Sequence, residues 1–111
     1  MLVRSQDRCS FVNINTIKKI DVFQYLITED KSDWRIDCPS VGVGSNVIGR
    51  YSTKEKAIKV LDMICDAYDG YSRACINYSK IGWDLYQTVF EMPKDEDVVI
   101  TDENGVVISG N

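Results

Sequence analysis

Residues 49–70, Gly49-Arg-Tyr-Ser-Thr-Lys-Glu-Lys-Ala-Ile-Lys-Val-Leu-Asp-Met-Ile-Cys-Asp-Ala-Tyr-Asp-Gly70, decide the fold class. Ala57, Val60, Leu61, Ile64, Tyr68 and Tyr71 recur at three- and four-residue spacing, which puts apolar side chains on one helical face. Ser52 and Glu55 have the spacing of a capping box, in which the hydroxyl takes the Glu55 amide and the carboxylate reaches back. Gly70 stands where a left-handed residue would end the helix. The pattern predicts one amphipathic helix over about 53–70, with a sheet packed on its apolar side.

The polar side of that helix carries Lys54, Lys56 and Lys59 in its first half and Asp62, Asp66 and Asp69 in its second. The macrodipole favours the reverse order, by about 0.3–1 kcal/mol per exposed end charge. A solvated charged face tolerates that cost. The alternative expectation is a homodimer whose two helices run antiparallel, each basic half against the other's acidic half. Ile58 and Met63, on opposite flanks of the apolar stripe, would then supply the dry contact.

A chain of 111 residues forms a single domain over 1–111. Its 44% hydrophobic and 27% charged content is that of a globular protein rather than a disordered one. The net charge of −4 is uneven: residues 1–52 carry seven Lys/Arg against six Asp/Glu, and residues 53–111 carry six against eleven. Sequence-independent nucleic-acid binding needs a surplus of cations, so this balance argues against it. Arg4, Arg8, Lys18 and Lys19 are the place where a local basic patch would form.

The opening Met1-Leu-Val-Arg-Ser-Gln-Asp7 turns polar at once, and no apolar run approaches the length of a membrane span. The expected compartment is therefore cytoplasmic, where Cys9, Cys38, Cys65 and Cys75 are reduced thiols. Their spacing contains no Cys-x-x-Cys and there is no histidine, so neither a metal site nor a cofactor is expected.

Leu2–Arg4, Ser10–Asn15 and Ile17–Ile27 read as strands, although the second half of the last has no clean period. Thr28–Asp33 is a polar turn, and Trp34–Cys38 alternates as the return strand of a hairpin, ended by Pro39. Asn46–Tyr51 reads as a strand feeding the helix. Gly44-x4-Gly49-Arg50 has the outline of a phosphate loop, but Arg50 replaces its lysine and Tyr51 its Ser/Thr, so the chemistry is missing.

Residues 71–80 read as a polar connection, and Leu85–Met92 as a strand whose Tyr86/Thr88/Phe90/Met92 face is the more apolar. Asp97–Thr101 and Val106–Ser109 form a hairpin around Asn104-Gly105. The expected class is α+β: a largely antiparallel sheet of about five to seven strands against one long helix. An open barrel resembling the pleckstrin-homology-like fold is the alternative closure, but strands after the helix do not suit it.

Three blocks held in order carry a resemblance. They are Met1-Leu-Val-Arg-Ser-Gln-Asp7 with Val12-Asn-Ile-Asn15, Ile48-Gly-Arg-Tyr-Ser-Thr-Lys-Glu-Lys-Ala-Ile-Lys-Val-Leu-Asp-Met-Ile64, and Val89-Phe-Glu-Met-Pro-Lys-Asp95. The chain is similar in these blocks to small uncharacterised proteins of Gram-positive bacteria and their prophages and phages. The resemblance spans most of residues 1–95 and departs over 28–47 and after Val98. It implies a bacterial or phage cytosolic protein and transfers no functional residue.

No catalytic residue is expected. The usual proton shuttle is absent, and Asp62/Asp66 and Asp95/Glu96/Asp97 sit in exposed contexts where nothing raises a carboxylate's pKa. Tyr68, Tyr71, Tyr78, Trp83 and Tyr86 form an aromatic cluster; of these, Tyr78 and Trp83 on a loop are the candidates for a partner contact. The expected function is a non-enzymatic interaction or accessory protein of phage or prophage origin, whose partner is a second copy or a host or phage protein. The alternative is a small-molecule-binding domain or enzyme using the groove between the helix and the Gly42–Gly49 loop.

Overall fold

The computed structural model describes the backbone of residues 1–39, 44–77, 89–101 and 107–109, and the side chains of all of these except 71–77 and 107–109. The fold is α+β. Strands β1 (Leu2–Arg4), β2 (Phe11–Asn13), β3 (Asp21–Leu26), β4 (Ser32–Asp37) and β5 (Val47–Tyr51) lead to helix α1 (Lys54–Asn77). Strands β6 (Val89–Glu91), β7 (Ile100–Thr101) and β8 (Val107–Ser109) follow it. Two three-stranded sheets form, β2-β1-β6 and β3-β4-β5, with β7-β8 as a separate antiparallel pair. Among the described strands only β1–β6 is a parallel pairing, which a long intervening crossover permits.

One core joins these parts. Ala57, Val60 and Ile64 of α1 meet Ile36, Ile48 and Tyr51 of the β3-β4-β5 sheet, while Met1, Val3, Met92 and Val98 come in from β1 and from the chain after the helix. Fully burying one such aliphatic side chain is worth about 1.5–3 kcal/mol, so this shared core is what holds the two sheets to the helix.

The helix departs from the expectation at three places. It runs through Gly70 to Asn77, because a mid-helix glycine costs only about 1 kcal/mol and residues 71–77 contain no breaker. Residues 71–77 are therefore its last turns rather than a connection. At its start the cap is Thr53, whose hydroxyl accepts from the Lys56 amide at 3.2 Å. Ser52 is taken by a distant carboxylate: Asp95 Oδ1 accepts from the Ser52 amide at 2.8 Å and from its hydroxyl at 3.0 Å.

The third departure is Lys56, which is 3% exposed rather than on the solvated face. Its ammonium donates to the Asp95 carbonyl at 3.0 Å and pairs with the Asp95 carboxylate at 3.6 Å. The short helical turn Asp95–Asp97 thus clasps the start of α1, with its acid at the positive end of the helix dipole. The buried stripe differs from the expected one as well: Ala67 packs on the core, Leu61 is only half-buried, and Tyr68 is exposed.

Between β4 and β5 the register slips at Ile36/Asp37. The buried Asp37 carboxylate receives the Ser45 hydroxyl and the Asn46 amide there, and pairing resumes with the Cys38 amide donating to Asn46 O at 2.9 Å. The expected Leu85–Met92 strand is described only over 89–91, where Phe90 is half-buried beside the buried Met92. Its first half and the Asn104-Gly105 turn lie outside the described residues.

Candidate interaction surfaces

The sheet β3-β4-β5 has two edges, and the ladder fixes which main-chain groups each presents. At the hairpin end the Ile27 amide donates to Lys31 O at 2.8 Å. Antiparallel alternation then turns Asp21, Phe23 and Tyr25 toward β4 and leaves the amides and carbonyls of Val22, Gln24 and Leu26 pointing outward. On β5 the same alternation turns Ile48 and Arg50 outward.

The β5 edge is closed by Gln6. Its amide donates to Ile48 O at 2.8 Å, its side-chain Oε1 accepts from the Arg50 amide at 2.9 Å, and its Nε2 donates to Arg50 O at 3.0 Å. The carboxamide of one residue thus does the work of a short strand. The same Nε2 reaches Pro93 O at 3.2 Å, which also accepts from the Tyr51 hydroxyl at 2.7 Å. Gly49 is required here because a Cβ would stand 2.8 Å from Met92 Cε and 2.9 Å from the Tyr51 ring. That packing, rather than a phosphate, accounts for the second glycine of the phosphate-loop outline.

The β3 edge is different. No described residue pairs with the outward groups of Val22, Gln24 and Leu26. Val22–Ile27 contains no charge, proline or glycine. Tyr25, Leu26 and Ile27 are 45%, 70% and 47% exposed. The register explains this: Gln24 lies opposite Trp34, over whose ring Lys54 at the first turn of α1 sits at 5.5 Å, so the hairpin runs past the start of the helix. On the other face the Arg35 guanidinium, paired with Asp33 at 2.8 Å, covers the Tyr25 ring at 3.6 Å.

Of the residues singled out in the sequence, Ile58 and Met63 are both exposed. Five positions apart, they stand about 140° apart around the helix, with Lys59, Asp62 and Asp66 exposed between them, so the structure does not bring them together. Tyr78 and Trp83 lie outside the described residues. Arg4 and Arg8 both address Glu91, and Arg4 also lies over the Phe11 ring at 4.7 Å. Lys18 and Lys19 are exposed, with Lys19 3.5 Å from Asp21.

A shallow pocket of about 260 Å³ lies beside β5, lined by Ser5, Gln6, Asp7 and Val47–Arg50. No residue of α1 lines it, and Gly42 and Val43 lie outside the described residues. Its one carboxylate, Asp7, accepts from the Ser5 hydroxyl at 2.6 Å and the Cys9 amide at 2.9 Å, and these bonds lower its pKa. Such a carboxylate is already employed in the turn. Burial pushes the Cys38 thiol up to about 11, with Asp37 and Asp21 adding to the shift, and burial likewise raises the Tyr51 hydroxyl. Both groups stay neutral and play structural parts.

Among the described residues no three His, Cys, Asp or Glu side chains converge as metal ligands, and no helix is long and apolar enough to cross a membrane. Compared with protein-family models, curated proteins and solved structures, the chain matches none.

Proposed function

We propose that the chain is a non-enzymatic interaction protein that works through protein contacts. The observation that carries this reading is the β3 edge, with Tyr25, Leu26 and Ile27 projecting beside main-chain groups that no described residue pairs. A strand edge free of lysine, proline and bulge is a ready template for another chain, and proteins that do not use such an edge usually blunt it. The occupant is a second copy or a host or phage protein. A phage or prophage setting in a bacterial cytoplasm rests on the resemblance of the three sequence blocks.

A small-molecule site between the helix and the Gly42–Gly49 loop is the competing reading. Native mass spectrometry of the protein as purified from its expression host separates the two. Protein-bound species, with no retained small molecule, support the contact reading. A stoichiometric ligand of a few hundred daltons that survives purification overturns it.

A further inference from the structure

We infer that β3 pairs antiparallel with β3 of a second copy, about a twofold axis at Gln24. This joins two β3-β4-β5 sheets into one continuous sheet. The inference rests on the contact reading above and names the partner.

The register follows from which groups are free among the described residues. Only Val22, Gln24 and Leu26 of β3 point their main-chain groups outward, and they are placed evenly about Gln24. With Gln24 opposite its own copy, Val22 faces Leu26 on both sides of the axis. All three pairs are of the type that exchanges both bonds, giving about six main-chain hydrogen bonds. Val22 packs on Leu26 on the helix face, and Phe23 meets Tyr25 on the other. A slip of one residue would oppose outward groups to inward ones already bonded to β4.

Charge selects among the registers that remain. With Gln24 on the axis, the exposed Lys18 and Lys19 before β3 run toward the exposed Glu29 and Asp30 at the partner's hairpin tip. Sliding the partner by two residues toward that tip sets Lys19 beside Lys31 and Asp21 beside Glu29, like against like. The chain is thus complementary to itself in one register, which a heterologous strand has no reason to be. The contact is small, so a dissociation constant on the order of 10 µM is expected.

Sedimentation equilibrium on the full chain from about 5 to 500 µM tests this pairing. The expected result is a monomer–dimer equilibrium that weakens at high salt. Leu26→Lys, at a side chain 70% exposed and free of the fold, should raise the dissociation constant at least tenfold. Lys18→Glu with Lys19→Glu should weaken the dimer several-fold, and adding Glu29→Lys with Asp30→Lys should restore it. Amide exchange gives a second readout: Val22, Gln24 and Leu26 should slow with concentration, while Phe23 and Tyr25 are slow throughout. A monomer up to 500 µM overturns the pairing, as does a dimer that ignores Leu26→Lys. Either result leaves standing the contact reading, which only the retained ligand overturns.

Discussion

The two edges of one small sheet are finished in opposite ways. On β5 the Ile48 carbonyl and both main-chain groups of Arg50 meet Gln6, and the side chains behind it are fixed: Tyr51 to Pro93, Lys56 to Asp95. On β3 the equivalent groups meet nothing among the described residues, and the apolar side chains beside them face outward. Edge strands are hazards unless they are paired or blunted, so a fold that holds one edge with Gln6 and whose described residues leave the other bare has divided its described surface into a finished side and a usable one. The finished side should be sensitive to substitution and the usable side tolerant of it.

The largest contrast comes from Gly49→Ala against Leu26→Lys. The added Cβ at Gly49 meets the Tyr51 ring and Met92 Cε inside 3 Å, and the ring cannot swing aside without breaking its 2.7 Å bond to Pro93 O. Overpacking of this kind costs about 2–3 kcal/mol. Leu26→Lys should leave the stability of the monomer within about 0.5 kcal/mol. Urea titrations of both variants at a concentration where the chain is monomeric measure the gap. Equal losses at the two edges would remove the distinction between them.

A second contrast is alkaline. The unfolded chain ionises Cys38 near its ordinary 9.0, the folded chain only near about 11, because its thiol is buried beside Asp37 and Asp21. The folded pKa is the higher one. Its contribution is therefore full below pH 9 and is lost as the pH rises to about 11, on the order of 2 kcal/mol at full extent. Cys38→Ala should flatten the decline in stability between these limits. Cys9→Ala, at an exposed thiol in the first turn, should keep the parental slope. Parallel profiles for all three proteins would mean that Cys38 is not shielded in solution.

Gln6 is the next test. Gln6→Ala removes both halves of the carboxamide bridge to Arg50, and at a partly exposed edge this should cost about 1–1.5 kcal/mol. Gln6→Glu keeps an acceptor for the Arg50 amide but turns lone pairs on Arg50 O and Pro93 O. A carboxyl so placed is favoured in its protonated form, so part of the loss should return below about pH 4. Thermal melts at pH 3.5 and pH 7 read this directly.

Much of the frame was legible in the sequence because it depends on local period. The Ala57/Val60/Ile64 stripe, the Trp34–Cys38 alternation and the apolar Phe90/Met92 face repeat at two or at three to four residues, and the turn between β3 and β4 is marked by its run of polar residues. What escaped depends on partners far along the chain. Ser52 and Thr53 are adjacent hydroxyls, and Asp95 determines which of them caps. Lys56 reads as solvated until that same turn places a carbonyl and a carboxylate above it. Nothing local marks Gln6 as a surrogate strand. The open edge did leave a trace: β3 loses its clean period from Gln24 onward, where no layer of described residues buries Tyr25, Leu26 and Ile27.

The smallest effect belongs to the helix, which lies against neither edge's free groups, and its sign is more informative than its size. Gly70 has the look of a terminating residue, and a left-handed glycine at a helix end loses about 1 kcal/mol when a Cβ is added. In the structure Gly70 is mid-helix, its φ is not among the positive ones, and a Cβ built on it meets nothing within 4 Å. An alanine there removes only the unfolded chain's extra freedom, so Gly70→Ala should stabilise the protein by about 0.5–1 kcal/mol. A urea midpoint shifted upward with an unchanged slope confirms a helix continuous through Gly70 to Asn77. A downward shift would place the helix end at Gly70. Because neither edge involves this residue, the oligomeric state of Gly70→Ala should match that of the parent, which makes it the control against which the Leu26→Lys dimer measurement is read.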